Sequence, residues 1–260
     1  MHSSFSGDCS IPMEDMIDGA IQKGLTEICF TEHIDYQYPD DSIVFDFNKL
    51  DYTNKLLEMQ KKYKGLIQIK KGVEIGVQPH LLNKYESLMD NETFDFVICS
   101  LHTVERKGMH YGEFFENKTI EEAYGIYYAE LLDCVKNFKR FNILGHIDLV
   151  KRYTQKTCDN PFHDELTEIF NIIIPEGKGI ELNTSGVRYG LANGMPSDDI
   201  LKLYKKCGGE IITLGSDAHK PEDIAFQFSE SLELLQTTGF EYITTFTNQK
   251  PTFHSISNLI

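Results

Sequence analysis

The sequence predicts an α/β fold whose sheet is mostly parallel, either closed as a barrel or doubly wound. Short apolar runs alternate with amphipathic helical segments, and the alternation continues almost to the last residues. No Pro/Gly/Ser-rich linker or internal repeat interrupts it, so the 260 residues, 41% of them hydrophobic, are expected to form a single domain over 1–260.

The elements follow in order. PMEDMIDGAIQKG opens with Pro near a helix N-terminus, closes on Gly and spaces Met13, Met16, Ile17, Ala20 and Ile21 along one helical face. LTEICFT then reads as a strand. The helices NKLDYTNKLLEMQKKYKG, HLLNKYESLMD and IEEAYGIYYAELLDCVKNF precede the strands LIQIKKGVEIG, FDFVICS and FNILGH. FHDELTEIFNIII, SDDILKLYKKCGG and PEDIAFQFSESLELLQTTG read as further helices, leading into GIELNT, EIITLGSD and EYITTF. Neither a GxGxxG turn nor a Walker loop is present, which weakens nucleotide-binding doubly wound folds.

Composition narrows the setting. No apolar run is long enough to span a bilayer and the N-terminus lacks a secretory layout, so a cytoplasmic protein is expected. Six scattered cysteines without a CxxC pair suggest reduced thiols. A formal charge of -15 repels nucleic acid and anionic membrane, so an anionic substrate needs local positive charge, which metal ions could supply.

Chemistry in α/β proteins gathers beyond the carboxyl ends of the strands. His33, His102, His146 and His219 all lie at or just past predicted strand ends, as do Glu74 and Asp217. Singly, each could be an ordinary loop residue or a helix cap. Jointly, they form an imidazole and carboxylate set suited to zinc, manganese or iron, with one carboxylate able to bridge two ions. The opening MHSSFSGD could be an idle polar tail. If a short first strand ends at His2, however, His2 and Asp8 join the same edge.

HSSFSGD, TEH, GVEIG, SLH, GHIDLVKRY, ELNTSGVR and GSDAH, in this order, resemble the polymerase-and-histidinol-phosphatase (PHP) family of metal-dependent phosphoesterases. The resemblance implies a distorted TIM-type barrel of seven βα units carrying two or three divalent ions. Carried over, it places one ion on His2, Glu74 and Asp217, a second on Glu74, His102 and His146, and a third on Asp8, His33 and His219. Glu74 bridges, and Glu74, Asp217 and His219 act catalytically by holding the ions that acidify the attacking water. The family's first motif is His-x-His, and only its second histidine, His2, is present; either an upstream start or an added residue supplies its partner or this protein lacks one ligand, and an upstream start is the favoured expectation.

GHIDLVKRY and NTSGVRYG look most like the branch that hydrolyses L-histidinol phosphate, which implies a small phosphate monoester as substrate. Arg188 and Arg152 follow strand ends and are the candidate phosphate contacts, although Lys151 and Arg152 could equally be a solvated charge pair. Arg106 is a more remote candidate. Asp148, beside His146, is expected to orient that ring rather than act as an acid. The alternatives are another phosphoesterase of the family, acting on a different small phosphate or a nucleotide, and a barrel merely braced by metal.

Overall fold

The computed structural model describes residues 1–154, 158 and 160–260. Helix α1 (Met13–Gln22) leads to strand β1 (Glu27–Ile34), α2 (Lys49–Lys62) to β2 (Gln68–Gly76) and α3 (Leu82–Asn91) to β3 (Phe96–Ser100). A hairpin of β4 (Thr103–Val104) and β5 (Lys107–Gly108) precedes α4 (Ile120–Asn137) and β6 (Ile143–Leu144). Then come α5 (His163–Ile173), β7 (Gly179–Asn183), the single turn α6 (Ser185–Arg188), α7 (Asp198–Lys206) and β8 (Ile212–Gly215). The chain ends with α8 (Phe228–Thr238), β9 (Tyr242–Thr247) and β10 (Lys250–Ser255).

Local chemistry explains where these elements begin. Thr119 and Glu122 form a reciprocal capping box at α4, and the Asn48 side chain accepts from the Leu50 and Asp51 amides at α2. α1 buries Met13, Met16, Ile17 and Ala20, the face its spacing predicted. The last helix departs from expectation: α8 starts at Phe228, because Ala225 and Gln227 adopt φ of 55° and 53° and break the helical path that PEDIAFQF suggested.

Six strands form one curled parallel sheet in the order β1-β2-β3-β6-β7-β8. β3, β6 and β7 are buried along their whole length, as expected of parallel strands covered on both faces. The expected seventh strand, EYITTF, does not join them. It becomes β9, antiparallel to β10, across a turn at Asn248 and Gln249 with φ of 50° and 61°. Its alternating burial, with Thr244 and Phe246 inside, suits a hairpin packed on one face. Phe246 stacks on Phe96 at 5.2 Å, and Lys70 Nζ donates to Thr247 Oγ1, so the hairpin covers the amino end of the sheet.

The open edges β1 and β8 are bridged by the first two residues. The Thr31 amide donates to the Met1 carbonyl, and the His2 amide donates to the carbonyl of Ala218. A cavity of about 160 Å³ runs from this bridge toward the amino end of the sheet, between β1 and β8. No helix among the described residues is long and apolar enough to cross a membrane.

Candidate metal centre

The parallel register places the donors. His33 pairs with Glu74 across β1 and β2, so both arrive at the same level of the carboxyl edge. His102 lies two residues past β3, His146 two past β6 and Asp217 two past β8. His146 and Asp217 have positive φ, 22° and 50°, a conformation concentrated at functional sites. The bond from the His2 amide to Ala218 brings His2 to the same level from the opposite edge.

All eight predicted donors converge. Glu74 Oε1 lies 3.0 Å from His146 Nε2 and 3.2 Å from His102 Nε2, and these nitrogens are 3.4 Å apart. A tetrahedral shell with zinc–nitrogen bonds of about 2.0–2.1 Å has edges of about 3.3 Å, so this triangle fits one face of such a shell. Glu74 Oε2 is 3.7 Å from His2 Nε2, which lies 3.2 Å from Asp217 Oδ1. Asp8 Oδ2 is 3.1 Å from His219 Nε2 and 3.7 Å from His33 Nε2. The two oxygens of Glu74 therefore face different sets of donors. Seven of the eight side chains are largely or partly buried behind Asp8, whose carboxylate remains 31% exposed and marks the opening.

The donor set is electrostatically opposed. Burial pushes Glu74 and Asp217 up, yet the facing imidazoles prevail and hold both well below the ordinary carboxylate range. Burial, reinforced by His219 and His33, pushes His2 down to about 3 and keeps its ring neutral, as a ligand must be. His219 goes the other way: burial lowers it, but Asp8 and Asp217 outweigh that and hold it up to about 9.

Three carboxylates that the strand-end reading passed over support the donors from behind. His102 Nδ1 donates to Asp35 Oδ2 at 2.6 Å, which orients its Nε2 toward Glu74. Asp35 occupies the space above Gly76, where a Cβ would lie 2.3 Å from its carboxyl carbon, so Gly76 in GVEIG is required to admit it. Glu32 holds the opening loop through Ser3 and Ser6. Glu181 accepts from the His146 amide at 3.2 Å, and its Oε1 lies 2.0 Å from where a Cβ on Gly215 would stand. In the sequence, Glu32 and Glu181 are ordinary members of strand runs, and Asp35 is a single acid just past one.

Burial, with repulsion from Glu74 and Asp217, raises Glu181 from 4.5 to about 7. In the metal-free protein, the folded state thus binds a proton that the unfolded chain has released between these values. The contribution to stability is full below pH 4.5 and is lost as pH rises through 7. Denaturant titrations of chelated wild type and Glu181→Gln across this range should show wild type losing stability relative to the variant. A constant difference between them would contradict the raised value.

The arginines separate. Arg188 Nη2 donates to the Asp217 carbonyl at 2.9 Å and its Nε lies 3.4 Å from Asp223, while its buried Nη1 has no partner among the described residues. It therefore stands at the centre with a donor to spare. Arg152 stacks on the Tyr189 ring at 3.3 Å, and its buried Nε has no partner among the described residues. Lys151 is paired with buried Asp148 at 2.7 Å rather than solvated. Asp148 also accepts from the Ser197 amide and does not meet His146, whose Nδ1 has no partner among the described residues, so the expected orienting role for Asp148 fails. The reason is topological: Asp148 turns toward the loop before α7. Arg106 is exposed at the tip of the β4–β5 hairpin.

A curled parallel sheet that collects imidazoles and carboxylates at its carboxyl edge around one glutamate defines a class of metal-dependent α/β-barrel hydrolases. The PHP domain family matches residues 1–185, and the chain belongs to that family. It is 34% identical over 254 residues to the histidinol-phosphatase of Lactococcus lactis subsp. lactis strain IL1403, covering 96% of this chain and 93% of the relative. The histidinol-phosphatase of Bacillus subtilis strain 168 is 23% identical over 239 residues, covering 82% and 89%. A crystal structure of histidinol phosphate phosphatase from the same Lactococcus lactis strain, complexed with zinc, L-histidinol and phosphate, superposes with a TM-score of 0.86 at 32% identity, covering 97% of both chains.

Proposed function

We propose that this chain is a histidinol-phosphatase: a metal-dependent hydrolase that converts L-histidinol phosphate to L-histidinol and phosphate, acting as one domain over 1–260. The observation that carries the reading is the convergence of eight donors on one edge around Glu74, in a chain similar along nearly its whole length to a named histidinol-phosphatase.

The assigned ligands are His2, Glu74 and Asp217 for one divalent ion and Glu74, His102 and His146 for a second. Asp8, His33 and His219 are assigned to a third. Zinc is the ion named in the similar structure; iron and manganese suit the same donors. Bound ions would supply Lewis acidity toward the phosphoryl oxygens and lower the pKa of the attacking water. The protein contributes position. Glu74 divides its two oxygens between neighbouring sets, Asp35 orients His102, and Arg188 offers Nη1 to a phosphate oxygen from beside Asp217. Nucleic acid is disfavoured as a substrate by the charge of -15.

The test is phosphate release from L-histidinol phosphate beside a panel of sugar phosphates and nucleotides, using metal-loaded protein. Strong preference for histidinol phosphate is expected. Turnover concentrated on another phosphate would replace the substrate and leave the metal chemistry standing.

Arg188→Ala should reduce kcat/KM by about 10- to 100-fold, the scale of one lost charged hydrogen bond, chiefly through KM and with metal content unchanged. Unaltered kcat/KM would remove Arg188 from phosphate binding.

A further inference from the structure

We propose that Ser6 and Glu32 are positioning residues that hold the His2 ring with its Nε2 lone pair toward the metal centre. The inference rests on the reading of His2 as a metal ligand. It follows from counting protons at one buried hydroxyl.

Ser6 Oγ has three polar neighbours: the His33 amide at 2.9 Å, Glu32 Oε2 at 2.9 Å and His2 Nδ1 at 3.2 Å. An amide can only donate, so the His33 N–H uses one lone pair of the hydroxyl. The carboxylate accepts, so the single hydroxyl proton goes to Glu32. The remaining lone pair can only accept, and it faces His2. Nδ1 then carries the ring proton, and the lone pair of the neutral imidazole falls on Nε2. That nitrogen lies 3.2 Å from Asp217 Oδ1 and 3.7 Å from Glu74 Oε2, inside the proposed donor set.

Glu32 anchors the arrangement. It is fully buried on β1, and its oxygens also accept from the Ser3 amide at 2.9 Å and the Ser3 hydroxyl at 2.6 Å. Turning the Ser6 proton toward His2 would deprive this buried carboxylate of a donor, a penalty of about 1–3 kcal/mol or more. The residue before His33 thereby determines how His2, thirty residues earlier in the chain, presents itself. Partners of this kind typically change metal affinity 10- to 100-fold.

The experiment measures zinc affinity by competition with a chromophoric chelator for wild type and four variants, with folding checked by circular dichroism. His2→Ala should weaken the tightest affected site, and Ser6→Ala and Glu32→Ala should each weaken it by about 10- to 100-fold. Glu32→Gln should bind within a few-fold of wild type. Its amide oxygen can accept from Ser3 N–H and Ser6 O–H while its NH2 donates to Ser3 Oγ, so the geometry is rescued without the charge.

Two failures are distinguishable. If His2→Ala leaves zinc affinity intact, His2 is not a ligand and the reading beneath the proposal falls. If His2→Ala weakens binding but Ser6→Ala does not, or if Glu32→Gln is as weak as Glu32→Ala, the positioning role is overturned and the ligand assignment stands.

Discussion

Glu74→Ala is expected to lower kcat/KM by about a thousandfold or more and to reduce the bound metal content. Glu74 reaches two donor sets with separate oxygens: Oε1 faces His102 and His146, and Oε2 faces His2. Removing one group that stabilises developing charge commonly costs 10²–10³ in rate, and here the loss extends to the groups that hold the ions. The truncation also leaves the Ser100 hydroxyl, which donates to Oε1 at 2.6 Å, without its acceptor in a buried space. Glu74→Gln is the companion variant, because it preserves volume but loses a charge and one acceptor oxygen. Kinetics should be paired with elemental analysis. Preserved turnover at full metal occupancy would remove Glu74 from its bridging role.

Removing the ions with a chelator should abolish phosphatase activity and lower the melting temperature, and both should return on adding back zinc, manganese or iron. The stability effect follows from linkage: a ligand bound only by the folded state at a thousand times its Kd contributes about 4 kcal/mol. The buried donors sharpen the expectation. Without cations, Glu74 and Asp217 lie among imidazoles that cannot all be charged at once, and His2 is held neutral to about pH 3. Calorimetry of chelated and reloaded samples, with activity measured on each, makes the comparison. Full activity and an unchanged melting temperature after verified metal removal would contradict a catalytic metal centre.

Legibility from sequence depended on whether a residue's role was set by its place along the chain. His33, Glu74, His102, His146, Asp217 and His219 were readable because the carboxyl ends of parallel strands, and the loops that leave them, lie on one edge. The strand EYITTF was misplaced because an apolar run after a helix also fits a βα unit, whereas its Thr-rich alternation and the Asn248–Gln249 turn belong to a hairpin. Arg188 and Arg152 both follow strand ends, and sequence alone favoured Arg188 only for its place in a loop on the active edge. Packing then separates Arg188, hydrogen-bonded to the Asp217 carbonyl, from Arg152, stacked on Tyr189.

By itself, the sequence determined the parallel α/β architecture and which imidazoles and carboxylates share an edge, since hydrophobic period and strand order are local properties carried by consecutive residues. The tertiary structure alone decided which atoms those donors face and what holds them there. Asp35 beneath His102, Glu181 beneath His146 and Glu32 beneath Ser6 are contacts between residues 67, 35 and 26 positions apart. Gly76 and Gly215 matter for the volume they leave to a carboxylate from another strand. Hydrogen bonding and close packing act through distances of a few ångströms, and chain folding, not sequence spacing, sets those distances.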